Sequence, residues 1–179
     1  MRLSSPRIAP LPDSEWSDEQ RELLTRGNPQ RVLNIFRTLA RHIDMYRRWL
    51  PFGNHVLLKS TLPARDREIL ILRIGHLCRS GYEFHQHTEI GKRAGLTEAE
   101  IERIRVGPDA AGWQAFERTL LRAADELHRD AFIGDATWTA LSARYDTKQL
   151  IDLVFAVGQY TMVSMALNTF GVQIEGGQP

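Results

Sequence analysis

Between Leu150 and Val172 the chain carries an apolar run long enough to cross a bilayer. The run also holds Asp152, Gln159, Ser164 and Asn168, and a charge or an amide is costly inside hydrocarbon. It therefore reads as a buried helix of a globular protein, not as a membrane span. Its apolar residues, among them Ile151, Val154, Phe155, Val157, Met162, Val163, Met165 and Leu167, cover most of the helix circumference. A helix apolar nearly all round must be covered nearly all round. A chain of 179 residues has limited surface with which to do so. The cover comes either from a central position within one subunit or from a second copy of the chain. The second option is the expectation: a homo-oligomer, whether dimer, trimer or hexamer.

Almost every other periodic segment also reads as helix, and strand signals are weak, with no Asn-Gly hairpin and no sustained alternation. Residues 1–15 form a proline-containing arm that is expected to be extended. Ser17 and Gln20 have capping-box spacing and open a helix that ends at Gly27. Val32–Arg41 and Met45–Lys59 follow, the latter with a kink or break expected at Pro51 and Gly53. Thr61-Leu62-Pro63 opens a helix that runs to Cys78. Arg79-Ser80-Gly81 is a tight link to the helix Tyr82–Ala94, which Gly95 closes. Thr97 and Glu100 box the start of a short helix, and Gly107-Pro108 breaks the chain. Gly112–Asp130, Asp135–Tyr145 and a last helix from Thr147 to about Thr169 complete the pattern. The expectation is an all-α, single-domain bundle of about eight helices over residues 16–172, with a tail at 173–179.

The net charge is +1 and the 23 basic residues are scattered, so no basic stripe invites nucleic acid. One cysteine, Cys78, excludes an internal disulfide and a Cys-only zinc site, which fits a reducing cytoplasm. The N-terminal residues carry charge and proline where a signal peptide would need an apolar run. A cytoplasmic protein with no membrane partner is expected.

The stretch Tyr82-Glu83-Phe84-His85-Gln86-His87 concentrates ionisable groups on one helix. At about 100° per residue, Glu83 and His87 share a face with Ile90 and Ala94. His85 falls on the wet face with Glu89 and Lys92, and His85 with Glu89 reads as a solvated pair. A carboxylate on an apolar face must be paired, protonated or turned to a cavity. Burial raises a carboxyl pKa and a nearby imidazolium lowers it, so such a couple can exchange a proton near neutral pH. The same spacing also suits a structural ion pair closing a helix–helix contact. Glu68 follows Arg65 and Arg67, and its default partner is Arg65 in a surface salt bridge. Glu83 and His87 could supply two metal ligands, but the third would have to come from His76 or Cys78 without any zinc-type spacing. No metal is expected. Cys78, with no second cysteine to resolve it, reads as an inert buried thiol. The four tryptophans read as core or interface anchors.

The run RDREILILRIGHLCRSGYEFHQHTEIGKRAGLTEAEIERI resembles the carboxymuconolactone decarboxylase family, part of the alkyl hydroperoxidase D-like superfamily. The features that match are an Arg-Glu helix, a short link, Glu and His four apart, then Ala-Gly-Leu-Thr and an acidic capped helix. The resemblance implies an all-α homo-oligomer of the alkyl hydroperoxidase D-like type with sites near subunit contacts. In the thiol branch a Cys-x-x-Cys pair precedes the His; those positions here are Ser80 and Glu83. In the decarboxylase branch a Glu precedes the His by four, as Glu83 precedes His87.

The resemblance therefore implies a cofactor-independent acid–base enzyme, a lyase acting on a small carboxylated lactone or related carbonyl compound. Glu83 and His87 would exchange the proton, Glu68 would tune His87, and Tyr82 would orient the substrate. Arg73 and Arg79 are the candidates to meet substrate carboxylates. The alternatives are a peroxidase or antioxidant protein using Cys78 with an external thiol, and a non-catalytic ligand-binding module.

Overall fold

The computed structural model describes residues 1–26 and 32–176. The helix stop expected at Gly27 and the last three residues of the tail lie outside the described residues. The chain forms α1 (Asp18–Thr25), α2 (Asn34–Leu39), α3 (Ile43–Asn54), α4 (Ala64–Leu77) and α5 (Gly81–Arg93). These are followed by α6 (Glu98–Val106), α7 (Ala115–Asp130), α8 (Asp135–Ser142) and α9 (Thr147–Phe170). No strand occurs among the described residues, and the fold is all-α.

The local signals act through identifiable bonds. Ser17 accepts from the Gln20 N–H while the Gln20 side chain accepts from the Ser17 N–H, and Thr97 and Glu100 do the same at α6. Asp146 and Gln149 box the start of α9, and Gly171, at φ 68°, closes it in the left-handed region. Pro51 lies inside α3 and does not end it. The irregularity expected there comes one turn later, where His55–Lys59 widens into a π-helical turn.

The helix covered on every side is α4. Ile69, Leu70, Ile71, Leu72 and Ile74 are wholly buried, and α5, α7 and α9 pack around them. Arg65 ties α4 to its neighbours, donating to Glu100 at 2.6 Å, Glu117 at 2.7 Å and the Gly95 carbonyl at 2.7 Å. Arg73, also buried, donates to both oxygens of Asp125, at 2.6 and 3.0 Å, and to the Ile104 carbonyl.

The last helix departs from a simple central role. Its polar residues Asp152, Gln159 and Ser164 are buried, while Ile151, Phe155, Met162 and Met165 are exposed. Asp152 earns its place by accepting from the Thr61 N–H at 2.6 Å, the Thr61 hydroxyl at 2.7 Å and His55 Nε2 at 2.9 Å. These bonds fasten the lead-in of α4 to α9. The N-terminal arm is also docked: Arg7 and Ile8 donate to the Phe170 carbonyl, and Leu11 is buried.

Candidate active site

The link between α4 and α5 is short, because Ser80 donates back to the Gly75 carbonyl and Arg79 takes a left-handed φ of 53°. The chain reverses there and lays α5 against α4. Close approach depends on Gly91, where an added Cβ would come within 3.2 Å of Leu72 Cδ1. Glu68 on α4 then faces His87 on α5.

Three ionisable groups converge. His87 Nδ1 lies 2.6 Å from Glu68 Oε2, and His87 Nε2 lies 2.9 Å from Glu83 Oε1. Glu68 is 0% exposed and Glu83 and His87 are each 4% exposed. The other Glu68 oxygen accepts from Arg67 Nε at 3.1 Å. The expected surface bridge from Glu68 to Arg65 does not form. Glu68 points inward, and Arg65 is committed to α6 and α7. Arg65 and Glu68 are three residues apart on α4, and that spacing alone could not tell that Glu68 turns to α5.

Burial pushes the His87 imidazolium toward losing its proton, but the hydrogen bonds to Glu68 and Glu83 outweigh it and its pKa is raised to about 9. At neutral pH His87 is thus an imidazolium donating both N–H groups to carboxylates. His87 Nε2–H donates to Glu83 across 2.9 Å.

The couple faces a cavity of about 110 Å³. An engineered apolar cavity of roughly 150 Å³ holds benzene, so this smaller space suits an occupant no larger than one small ring. Leu33, Ile35 and Phe36 from the α2 region, Trp49 and Leu57 from the α3 region, and Val163 from α9 make its apolar wall. No Lys or Arg is among the lining residues. Arg73 is held by Asp125, and Arg79 is exposed away from this cavity.

Tyr82 lines the cavity, but its hydroxyl donates to Glu175 at 2.6 Å. Glu175 also accepts from Gln86 Nε2 and from the Asn34 N–H, so the C-terminal segment is strapped over α5 and α2. Two residues that the family motif does not contain complete the site. The Tyr160 ring stands edge-on to His87 with centroids 4.8 Å apart. Gln159 lines the cavity with its side-chain carbonyl oxygen buried and without a partner among the described residues. The one sequence signal for Gln159 is its presence, as an amide, within the apolar run of α9. Burial, followed by the charges of Glu83 and Glu68, pushes the Tyr160 phenol well above its usual range, so it stays a donor.

Cys78 does not line this cavity. Burial pushes its thiol up, although the Ser164 hydroxyl works the other way. His85 is exposed on the opposite face of α5. No group of three His, Cys, Asp or Glu side chains among the described residues is arranged to hold a metal ion.

The family model of the carboxymuconolactone decarboxylase family matches residues 44–126. No curated protein sequence matches the chain significantly. Among solved structures, the chain is similar to the AhpD core of a peroxidase-related protein from Ralstonia eutropha JMP134, with TM-score 0.81 and 19% identity over 94% of this chain and 93% of that one. A peroxidase-related protein from Silicibacter sp. TM1040 gives TM-score 0.76 and 16% identity over 98% and 92% of the two chains. The debrominase Bmp8, solved with 2,3,4-tribromopyrrole, gives TM-score 0.78 and 15% identity over 95% and 92%. At these identities the solved structures speak to the fold, and the motif-bearing segment carries the family match. Residues 44–126 thus match the carboxymuconolactone decarboxylase family, and the fold is the one seen in AhpD-like structures.

Proposed function

We propose that the chain is a cofactor-independent acid–base enzyme acting on a small, uncharged ring compound with a carbonyl group, such as a lactone. The observation that carries this reading is an imidazolium held between two buried carboxylates beside a ring-sized apolar cavity. Glu83 would take a proton from the carbon next to the carbonyl. His87 would return it, with Glu68 and Arg67 holding the ring in place. The Tyr160 hydroxyl and the Gln159 amide would donate to the developing enolate oxygen. A carboxylated lactone is disfavoured because no Lys or Arg lines the cavity and the His87 imidazolium is already paired with two carboxylates. The test is incubation of small lactones and cyclic ketones in deuterated water, followed by NMR at the α-carbon. Wild type should load deuterium and Glu83→Gln should not.

A second reading, peroxide reduction, is favoured by the names of the structural neighbours, two of which are peroxidase-related. In this chain it would need Cys78 and an external thiol. Peroxide consumption with a thiol donor is expected to be equally slow in wild type and Cys78→Ser, because burial disfavours the thiolate. A clear loss in Cys78→Ser would move the assignment to the peroxidase.

The chain is also proposed to form a homo-oligomer through α9. Ile151, Phe155, Gly158, Met162 and Met165 recur at alternating spacings of four and three, the seam spacing of paired helices. Its four side chains larger than glycine are exposed. Phe155→Lys should lower the mass measured by light scattering to that of one chain, 20.5 kDa. A wild-type chain that is already monomeric would remove the proposal.

A further inference from the structure

A second depression, of about 400 Å³, opens at the N-terminus of α5 and shares no lining residue with the apolar cavity. Arg2, Arg79 and Arg105 line it together with His76, and no carboxylate is among the lining residues. Arg105 is steered here by stacking on the Phe84 ring, 3.8 Å from its centroid, while its Nε also reaches Glu102 on the outer side at 3.2 Å. The positive field of Arg73 and Arg105, after burial, holds the His76 imidazole below its usual range.

Ser80 supplies an independent observation. It occupies the N-cap position of the 13-residue α5, where a serine hydroxyl ordinarily accepts from the amide of the first turn. Here it makes no cap bond. The residue is 2% exposed, it lines the depression, and its hydroxyl has no hydrogen-bond partner among the described residues. The first amides of a helix have no intrahelical acceptor and carry the positive end of its dipole. Ser80 with its buried, unused hydroxyl, Gly81 at the helix N-terminus and three arginines thus line one space with no carboxylate among its lining residues.

We infer that this depression is a binding site for a small oxyanion: the carboxylate or phosphate end of a soluble molecule. The Ser80 hydroxyl and the first amides of α5 would donate to its oxygens, and Arg79 and Arg105 would neutralise its charge. The site does not depend on the acid–base reading of Glu83 and His87. It would bind its anion in a chain that catalysed nothing.

The experiment is calorimetric titration of the full chain with inorganic phosphate, and separately with acetate, at constant ionic strength. Saturable binding in the millimolar range is expected with at least one of them, and which one saturates identifies the oxyanion. Arg79→Gln and Arg105→Gln should each weaken it about tenfold, the loss of one charged hydrogen bond. Ser80→Ala should also weaken it, yet keep the wild-type melting temperature, because the hydroxyl makes no bond in the free protein. Heats no larger than dilution with both anions would overturn the inference. So would equal affinity in wild type and the two arginine variants, or a Ser80→Ala chain that melts earlier and binds normally.

Discussion

Turnover of the true substrate is expected to fall about a hundred- to ten-thousand-fold in Glu83→Gln, the range for loss of a positioned acid or base. The substitution is nearly isosteric. A glutamine oxygen can still accept from His87 Nε2 across the same 2.9 Å, so the ring should keep its orientation. What disappears is the basic lone pair that faces the cavity. The loss should therefore fall on kcat, with KM changed little, because the apolar wall that holds the ring compound is untouched. His87→Ala should lose a comparable factor by removing the group that returns the proton. If both variants turn over a confirmed substrate at the wild-type rate, the pair is only a brace between helices.

Glu68→Leu is expected to destabilise the fold by roughly 3–5 kcal/mol, the cost of breaking a buried ion pair on one side. Glu68 is fully buried and serves two cations, His87 Nδ1 and Arg67 Nε. Leucine fills the space and satisfies neither. The imidazole has an escape: it can discharge, and its pKa should drop from about 9. That response gives the variant a distinctive pH profile. In wild type the folded pKa of His87 stands above its ordinary value of 6.5. The stability this contributes is complete below that ordinary value and is lost as pH rises through about 9. Urea unfolding at pH 6 and pH 9.5 should show wild type losing stability across this window. Glu68→Leu should start lower and lose much less. Parallel profiles in the two proteins would show that Glu68 does not hold the proton on His87.

Much of the helical framework was legible because its signals are local. Ser17 with Gln20 and Thr97 with Glu100 are boxes that close within one turn. Gly95 and Gly107, which take positive φ, are breaks that each need only their own backbone. The π-helical turn at His55–Lys59 was not legible, since the proline that hints at irregularity is tolerated four residues earlier. The fate of Glu68 was not legible from spacing either. Its neighbours in sequence offered Arg65, and only the reversal at Arg79-Ser80 brings it to His87. The family resemblance placed it there; periodicity did not.

The sequence by itself determined that the chain is helical, where most helices stop, and that Glu83 and His87 share a face, because each depends on residues within a turn of one another. The tertiary structure decided what that face looks at. The cavity is the space left where α2, α3, α5 and α9 fail to meet, and no single helix encodes a gap. It also decided that α4 is covered on all sides while α9 keeps Gln159 and Asp152 inside and an apolar stripe outside. Amphipathic pattern states how much apolar surface a helix carries. Which side the rest of the chain covers depends on where the other helices pack.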